Sequence, residues 1–195
     1  MDDTSEIKLN EELYIAEGIY CKCYEHPSDK FKCIKIPTEN KKSNKRLKAD
    51  INYYSKLHKI DVDLTYIADY LGEGSTSLGS GYIYECVRDN DLSVSKRLQY
   101  YLDSSEIKKA TLYEKMLDLG QHLLDNKILI SDLHARNVLI QKNSNGDLKP
   151  VIVDGIGDRV AIEVLNFLPG FIEAKIKRRW NRFAQHVLDG KAILD

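Results

Sequence analysis

The sequence has no long apolar run and almost no net charge. None of its apolar stretches approaches the ~20 residues that a membrane-spanning helix needs. Lys and Arg number 29 against 30 Asp and Glu, a net charge of −1, so no overall field attracts nucleic acid or a membrane surface. The first six residues are acidic and polar, unlike a secretory signal. We therefore expect a cytoplasmic protein with no membrane span and no nucleic-acid partner.

Cysteine is also scarce, and no C-x-x-C pair occurs. All four cysteines precede residue 90, at positions 21, 23, 33 and 86. A zinc site formed by all four thiolates is one interpretation, and small buried apolar side chains are the other. Structural zinc usually takes two closely spaced pairs, and only Cys21 and Cys23 form one. The spacing therefore favours packing.

What remains is the composition of an ordinary globular protein of mixed α/β class. The 195 residues, 43% hydrophobic and 30% charged, suffice for one domain that buries roughly 70% of its unfolded surface. Alternating or short apolar runs predict strands, and apolar spacings of three and four predict helices. The predicted strands are 13–16, 19–24, 31–36, 66–71, 82–87, 128–130, 138–140 and 151–153, with a Gly/Ser-rich loop at 72–81. The predicted helices are 43–59, 105–126 and two near the C-terminus, separated at Pro169-Gly170.

Residues 128–140, I-L-I-S-D-L-H-A-R-N-V-L-I, place a polar loop between two apolar runs. Asp132 and Asn137 form a D-x-x-x-x-N pattern in this loop, in which a carboxylate can orient a hydroxyl while an amide oxygen holds a metal ion. Further on, V-I-V-D-G ends an apolar strand in Asp154, an oxygen ligand of the kind that Mg²⁺ prefers. The D-x-x-x-x-N pattern and an Asp-Gly turn after a strand are each common on their own. Their occurrence in this order along the chain is what makes them informative.

Lys35 stands in the apolar strand C-I-K-I. Strand alternation places it on one face with Cys33, while Ile34 and Ile36 point to the other face. A buried ammonium group is costly without an anionic partner. The alternative is an edge-strand lysine with its charged end in water.

These segments resemble the YrbL family, small bacterial proteins assigned to the PhoP regulatory network, and through it the protein-kinase-like superfamily. The matching segments are C-Y-E-H-P at 23–27, C-I-K-I at 33–36, Y-Y at 53–54, G-Y-I-Y at 81–84, N-V-L-I at 137–140, D-G-I-G at 154–157 and W-N-R-F at 180–183. The resemblance implies one kinase-like domain over 1–195. Its parts would be a small antiparallel-sheet N-lobe (1–87), a hinge (88–91) and a reduced helical C-lobe (92–195).

The resemblance also implies a site for ATP and Mg²⁺. Lys35 would hold the phosphates and Asp132 would orient the acceptor hydroxyl, while Asn137 and Asp154 would hold the metal. The backbone of 85–87 would bind the adenine edge. The residues that the resemblance places around the nucleotide are Gly18, Cys33, Lys35, Asp50, Glu85 and Val87.

Three departures from the kinase pattern leave the function open. Gly18 alone remains of the glycine-rich phosphate loop, and Gly155 stands where protein kinases have phenylalanine. Asp50 replaces the helix glutamate, so that its pair with Lys35 is closer, water-bridged or absent. The resemblance thus implies a phosphotransferase whose acceptor is a saccharide, another small hydroxyl compound or a protein. The alternative is a pseudokinase that binds nucleotide as a regulatory module.

Two further groups of charged residues have two interpretations each. His134 and Arg136 either contact substrate or phosphate, or are simply solvated. A basic cluster near the C-terminus is either a solvated helix face or a surface for an anionic partner. It lacks the interleaved aromatics of an RNA-binding surface. The cluster comprises Lys175, Lys177, Arg178, Arg179 and Arg182.

Overall fold

A computed structural model describes residues 6–158 and 170–195 of the chain. In these ranges the fold is mixed α/β, with two antiparallel sheets, four α-helices and a short 3-10 helix, Glu11–Leu13. The larger sheet has the strand order β1-β2-β3-β5-β4 and the smaller one β6-β7-β8. The strands are β1 (Tyr14–Glu17), β2 (Cys21–His26), β3 (Asp29–Pro37), β4 (Tyr70–Thr76), β5 (Gly79–Glu85), β6 (Lys96–Arg97), β7 (Val138–Lys142) and β8 (Leu148–Ile152). The helices are α1 (Ser43–Lys59), α2 (Leu98–Ser104), α3 (Lys109–Asp125) and α4 (Phe171–Val187).

The central strand β3 shows the predicted alternation. Ile34 and Ile36 are buried in a small core on one face, while Cys33 belongs to the main core on the other. Lys35 is buried on the Cys33 side, with only 8% of its surface exposed. The alternative of an edge-strand lysine is therefore wrong, because β3 pairs with β2 and β5 and lies inside the sheet.

Helix α1 has the bounds that its apolar stripe predicts, and it connects the two halves of the chain. Leu47 and Leu57 are buried in the main core. The hydroxyl of Tyr54 donates to the carbonyl of Ala68 at 2.6 Å, and the hydroxyl of Tyr53 accepts from the Leu129 amide at 2.9 Å. The helix is thus fixed to the segment before β4 and to the one after α3.

The predicted loop at 72–81 is wrong, because β4 and β5 continue through its glycines to a turn at Ser77 and Leu78. A Cβ atom at Gly81 would lie 2.6 Å from Ile34, so this glycine serves close packing between strands. The predicted strand at 66–71 is also largely wrong. Its residue 67 forms a single parallel bridge to Ile152 of β8, and β4 begins at residue 70.

The C-terminal half differs from prediction at two places. Helix α3 begins at Lys109 instead of 105, because Ser105 takes the left-handed conformation that ends α2, with φ of 56°. The run 128–130 is buried as predicted, but it forms one bridge, between Ile130 and Ile156, and no strand. The predicted helix before Pro169 lies outside the described residues.

Helices α3 and α4 pack around the single tryptophan. Trp180 is fully buried, and its indole nitrogen donates to the carbonyl of Ala192 at 2.7 Å. A Cβ atom at Gly120 of α3 would lie 2.4 Å from the indole ring, so the two helices meet where one has no side chain. None of the helices in the described ranges is long and apolar enough to cross a membrane.

We expect Gly120→Ala to destabilise the protein. Overpacking against a rigid indole costs about 3 kcal/mol, the upper end of the usual range, and the higher helix propensity of alanine recovers about 1 kcal/mol. Thermal unfolding should therefore shift down by several degrees, while the matched α3 variant Glu114→Ala, at an exposed position, should unfold close to wild type. Equal midpoints for the two variants would contradict this packing.

Candidate functional site

A cleft of about 520 Å³ brings together residues from both sheets. Its walls come from β1, β2, β3 and β5 on one side, and from 132–139 and 153–154 on the other. Most residues predicted from the sequence to form a site line this cleft: Gly18, Cys33, Lys35, Glu85, Val87, Asp132, Asn137 and Asp154. Residues that come from strands and loops far apart in the sequence thus meet in one cavity.

Lys35 projects from β3 into the cleft and reaches the segment after β8. Its ammonium group donates to the carbonyl of Val153 at 2.7 Å and lies 3.9 Å from Oδ1 of Asp154 and 4.4 Å from the ring centre of Tyr84. Burial, the largest single influence, disfavours the charged form, but Asp154 together with the acidic groups of Tyr84, Cys21 and Tyr54 outweighs it and holds the pKa of Lys35 well above its usual value. Lys35 is therefore a permanently charged group in the wall of the cleft.

Asp154 is fixed by the backbone turn that follows it. Its Oδ1 accepts the amide of Gly155 at 2.8 Å, and within the described part of the chain no hydrogen bond reaches its Oδ2. The side chain is 46% exposed, so this second oxygen can serve a ligand in the cleft.

Gly155 holds the Asp132 loop against Asp154. It has φ of 78°, and a Cβ atom there would lie 2.7 Å from Cβ of Asp132. Its carbonyl accepts the amide of Ser131 at 2.7 Å and the hydroxyl of the same serine at 3.0 Å. A side chain at position 155 would push the loop away, which is a physical reason for glycine there.

Asp132 and Asn137 face the cleft from one rigid loop. The side-chain amide nitrogen of Asn137 donates to the carbonyl of Asp132 at 2.8 Å, and this orients the amide oxygen the other way. The Asn137 carbonyl accepts the amide of Val153 at 2.9 Å, which ties the loop to the Asp154 segment. Oδ1 of Asp132 lies 3.2 Å from Nε2 of His134.

Asp50 is half-buried on α1 and is not among the residues lining the cleft. Burial raises the pKa of Cys21, Tyr54 and Tyr84, which surround Lys35, and the charge of Asp50 adds a smaller contribution in the same direction. For Lys35 itself, Asp154 is the dominant carboxylate. The pairing of Asp50 with Lys35 stays a prediction.

The predicted phosphate-binding and adenine-binding segments form the opposite wall. The amide of Gly18 donates to the carbonyl of Cys21 at 2.9 Å and is therefore used within the β1–β2 turn. At 85–87, the Glu85 carbonyl accepts the Cys33 thiol at 3.7 Å. Among the described residues, the Val87 amide donates to no protein acceptor, and it remains available to a ligand.

All four cysteines line the cleft. Burial raises the pKa of Cys21 to about 11. Hydrogen bonds to Cys23 and Cys86 raise the pKa of the Cys33 thiol, and they lower the pKa of those two neighbours. A thiol has one proton, so Cys33 donates to only one acceptor at a time. In the described ranges, no group of three or more His, Cys, Asp or Glu side chains has the arrangement of a metal site.

Sequence reasoning missed two arginines that line the cleft, Arg46 and Arg97. The guanidinium of Arg46 stacks on the ring of Tyr20 at 3.9 Å.

The charged run after β5, at 88–91, was wrongly predicted from the sequence to be a solvated linker. Arg88 is buried there, lies 2.7 Å from a carboxylate oxygen of Glu25 and donates to the Leu92 carbonyl at 2.6 Å. A buried arginine in such a run has no sequence signal of its own.

The basic cluster of α4 is not a uniform surface. Lys175 is buried and pairs with Asp158, and Arg179 also pairs with Asp158 at 2.8 Å. Arg179 further donates to the carbonyl of Ile130 at 3.0 Å. These two residues therefore brace the segment after Asp154, and an anionic partner on this helix remains a prediction for the other members of the cluster.

Comparison with known proteins places the chain in a family. It is 29% identical over 180 residues to a protein of Escherichia coli (strain K12) named "Uncharacterized protein YrbL", covering 91% of this chain and 86% of that protein. The same values hold for the YrbL protein of Shigella flexneri. The family model described as "PhoP regulatory network protein YrbL" matches residues 7–188. The chain therefore belongs to the YrbL family of PhoP regulatory network proteins.

Proposed function

We propose that this protein is an ATP- and Mg²⁺-dependent phosphotransferase with a reduced kinase-like fold. The larger sheet with α1 would form the N-lobe, and the segments from 92 onward the C-lobe. One observation carries the proposal: Lys35, the loop with Asp132 and Asn137, and Asp154 come from three separate segments and line a single cleft. Phosphoryl transfer depends mainly on positioning and charge neutralisation, so this small set is sufficient chemistry.

The oxygen donors of the cleft fit a hard cation. Oδ2 of Asp154 and the amide oxygen of Asn137 are the two protein ligands that would hold Mg²⁺. When bound together with nucleotide phosphates, the ion supplies neutralisation of their charge. The buried ammonium of Lys35 would contribute to the same field from the β3 side, and Val87 would present its free amide to the adenine edge.

Asp132 is the residue whose role differs between an enzyme and a binding module. Its carboxylate is proposed to orient the acceptor hydroxyl and to accept its proton, a role that nucleotide binding alone does not require. The contacts to Gly155 and Asn137 hold the backbone of Asp132 in place before any substrate arrives, and His134 lies 3.2 Å from its carboxylate. This favours catalysis over the pseudokinase alternative.

The pseudokinase alternative has specific support of its own. The Gly18 amide is used within its own turn, and Asp50 does not line the cleft, so two features of kinase phosphate handling are weakened. In this alternative the cleft binds Mg²⁺-nucleotide and the protein changes shape without turnover.

Replacing each of the two carboxylates, Asp132 and Asp154, by an amide distinguishes the phosphotransferase from the pseudokinase. Asp132→Asn should leave ATP affinity unchanged and reduce phosphoryl transfer by roughly 10²–10⁴-fold, as for loss of a positioned acid–base group. Asp154→Asn should weaken both Mg²⁺-dependent ATP binding and transfer, because phosphate charge is left uncompensated. We would measure affinity by calorimetry, and transfer from γ-labelled ATP to fractions of a cell extract.

The matched control is Asp118→Asn, which replaces an exposed carboxylate on α3 away from the cleft. It should behave as wild type in both measurements. Transfer by Asp132→Asn at the wild-type rate would refute the catalytic role. Binding of Mg²⁺-ATP with no transfer to any fraction would favour the pseudokinase, and no nucleotide binding at all would refute both functions.

Thiol labelling reports on the same cleft without requiring turnover. At pH 8.5, iodoacetamide should modify Cys23 first, because it is partly exposed and its pKa is lowered. Cys21, with its pKa of about 11, and buried Cys33 should react slowly, and Mg²⁺-ATP should slow Cys23 and Cys33 further. Peptide mass spectrometry would follow each thiol over time.

The control for this labelling is Ser144→Cys, which adds an exposed thiol in the β7–β8 turn. Nucleotide should not alter the rate at this added cysteine. Equal rates with and without saturating Mg²⁺-ATP at Cys23 and Cys33 would contradict the placement of the adenine beside them.

A further inference from the structure

Two arginines and a histidine that line the cleft have no part in the nucleotide site proposed above. Arg97, His134 and Arg136 line the cleft, and all three are exposed. Within the described ranges, the guanidinium groups of Arg97 and Arg136 make no ion pair and no hydrogen bond. Their charge is thus available to a ligand.

Backbone pairing places the two arginines on adjoining segments. Arg97 of β6 stands opposite Leu139 of β7, and the amide of Gln99 donates to the carbonyl of Ala135 at 3.2 Å. Arg136 directly follows Ala135. Strand alternation puts Leu139 on the cleft face of β7, where it lines the cavity together with Arg97.

The other buried or half-buried cations of the cleft are already engaged. Lys35 contacts Asp154 and the Val153 carbonyl, and Arg46 stacks on Tyr20. Neighbouring guanidinium groups without counter-ions repel each other, and an anion between them removes that repulsion. The planar donors of arginine match the paired oxygens of a phosphate or carboxylate.

We propose that Arg97 and Arg136, assisted by His134, form a subsite for an anionic group on the acceptor. The proposal rests on the phosphotransferase function, which it deepens: the substrate is a small hydroxyl compound that bears a phosphate or carboxylate. His134 lies 3.2 Å from the Asp132 carboxylate, so the subsite borders the position of the acceptor hydroxyl. A neutral saccharide would leave the two guanidinium groups unpaired.

The test uses simple anions as probes. The full-length protein is saturated with Mg²⁺ and a non-hydrolysable ATP analogue, then titrated with inorganic phosphate in one arm and acetate in the other, by calorimetry. Wild type should bind at least one of these anions, and the stronger arm identifies the anionic group. Arg97→Gln and Arg136→Gln should each weaken that binding by about tenfold, as expected for loss of a charge-assisted hydrogen bond.

The control is Lys108→Gln, which removes an exposed lysine before α3 that does not line the cleft, and it should bind the anion as wild type does. Circular dichroism would establish that each variant is folded. Two results would overturn the subsite: neither anion binds the saturated wild type, or both cleft variants bind as wild type does. A loss of nucleotide affinity in the cleft variants with no loss of anion affinity would also overturn it.

Failure of the phosphotransferase function would be visible separately. If wild type does not bind the nucleotide analogue, that function fails, and the anion titration is repeated on the nucleotide-free protein. Arginine-dependent binding of phosphate or acetate there would support the subsite, and its absence would overturn the subsite as well.

Discussion

The buried ammonium of Lys35 is the interaction on which the cleft depends. Removing a charged group from water costs several kcal/mol, and that cost is offset only when its partners are in place. Those partners, the Val153 carbonyl and the Asp154 carboxylate, follow the smaller sheet, whereas Lys35 belongs to the larger one. The charge is therefore satisfied only when both sheets have formed and met. The contact between Lys35 and the segment of Val153 and Asp154 therefore both joins the two sheets and forms part of the candidate site.

A second constraint is the close approach of two carboxylate-bearing segments. Asp132 and Asp154 repel each other, yet Gly155 allows their backbones to touch and its carbonyl accepts hydrogen bonds from the Asp132 loop. Beyond this turn, Arg179 bridges Asp158 and the carbonyl of Ile130. The basic residues of α4 thus act in part as supports of the loop, which explains why two of them are turned inward.

The sequence predicted those elements that bury one face, because the buried face imposes a regular spacing of apolar residues. Helix α1 was predicted from its apolar stripe, and the alternation of β3 placed Lys35 on a buried face. The two-residue strand β6 was missed, because it exists only through its pairing with β7. The bounds of the β4–β5 hairpin were wrong because the sequence does not show that Gly81 serves close packing against Ile34. The cleft residues followed from motifs and family resemblance. Neither motifs nor resemblance predicted the positions of Arg88 and Arg97. An arginine in a polar segment is predicted to be solvated even where it is buried or lines a cleft.

The arrangement of charge within the cleft bears on the choice between the two proposed functions. Nucleotide recognition alone would use Lys35, Asp154 and Asn137, which are proposed to contact the phosphates and the metal. Asp132 is not among the residues that such recognition would use, and in the proposed function its carboxylate acts on a second reactant. The guanidinium groups of Arg97 and Arg136 in the same cleft would supply the counter-charge for an anionic reactant. A carboxylate and two guanidinium groups that nucleotide recognition does not require are the features expected of a two-substrate site.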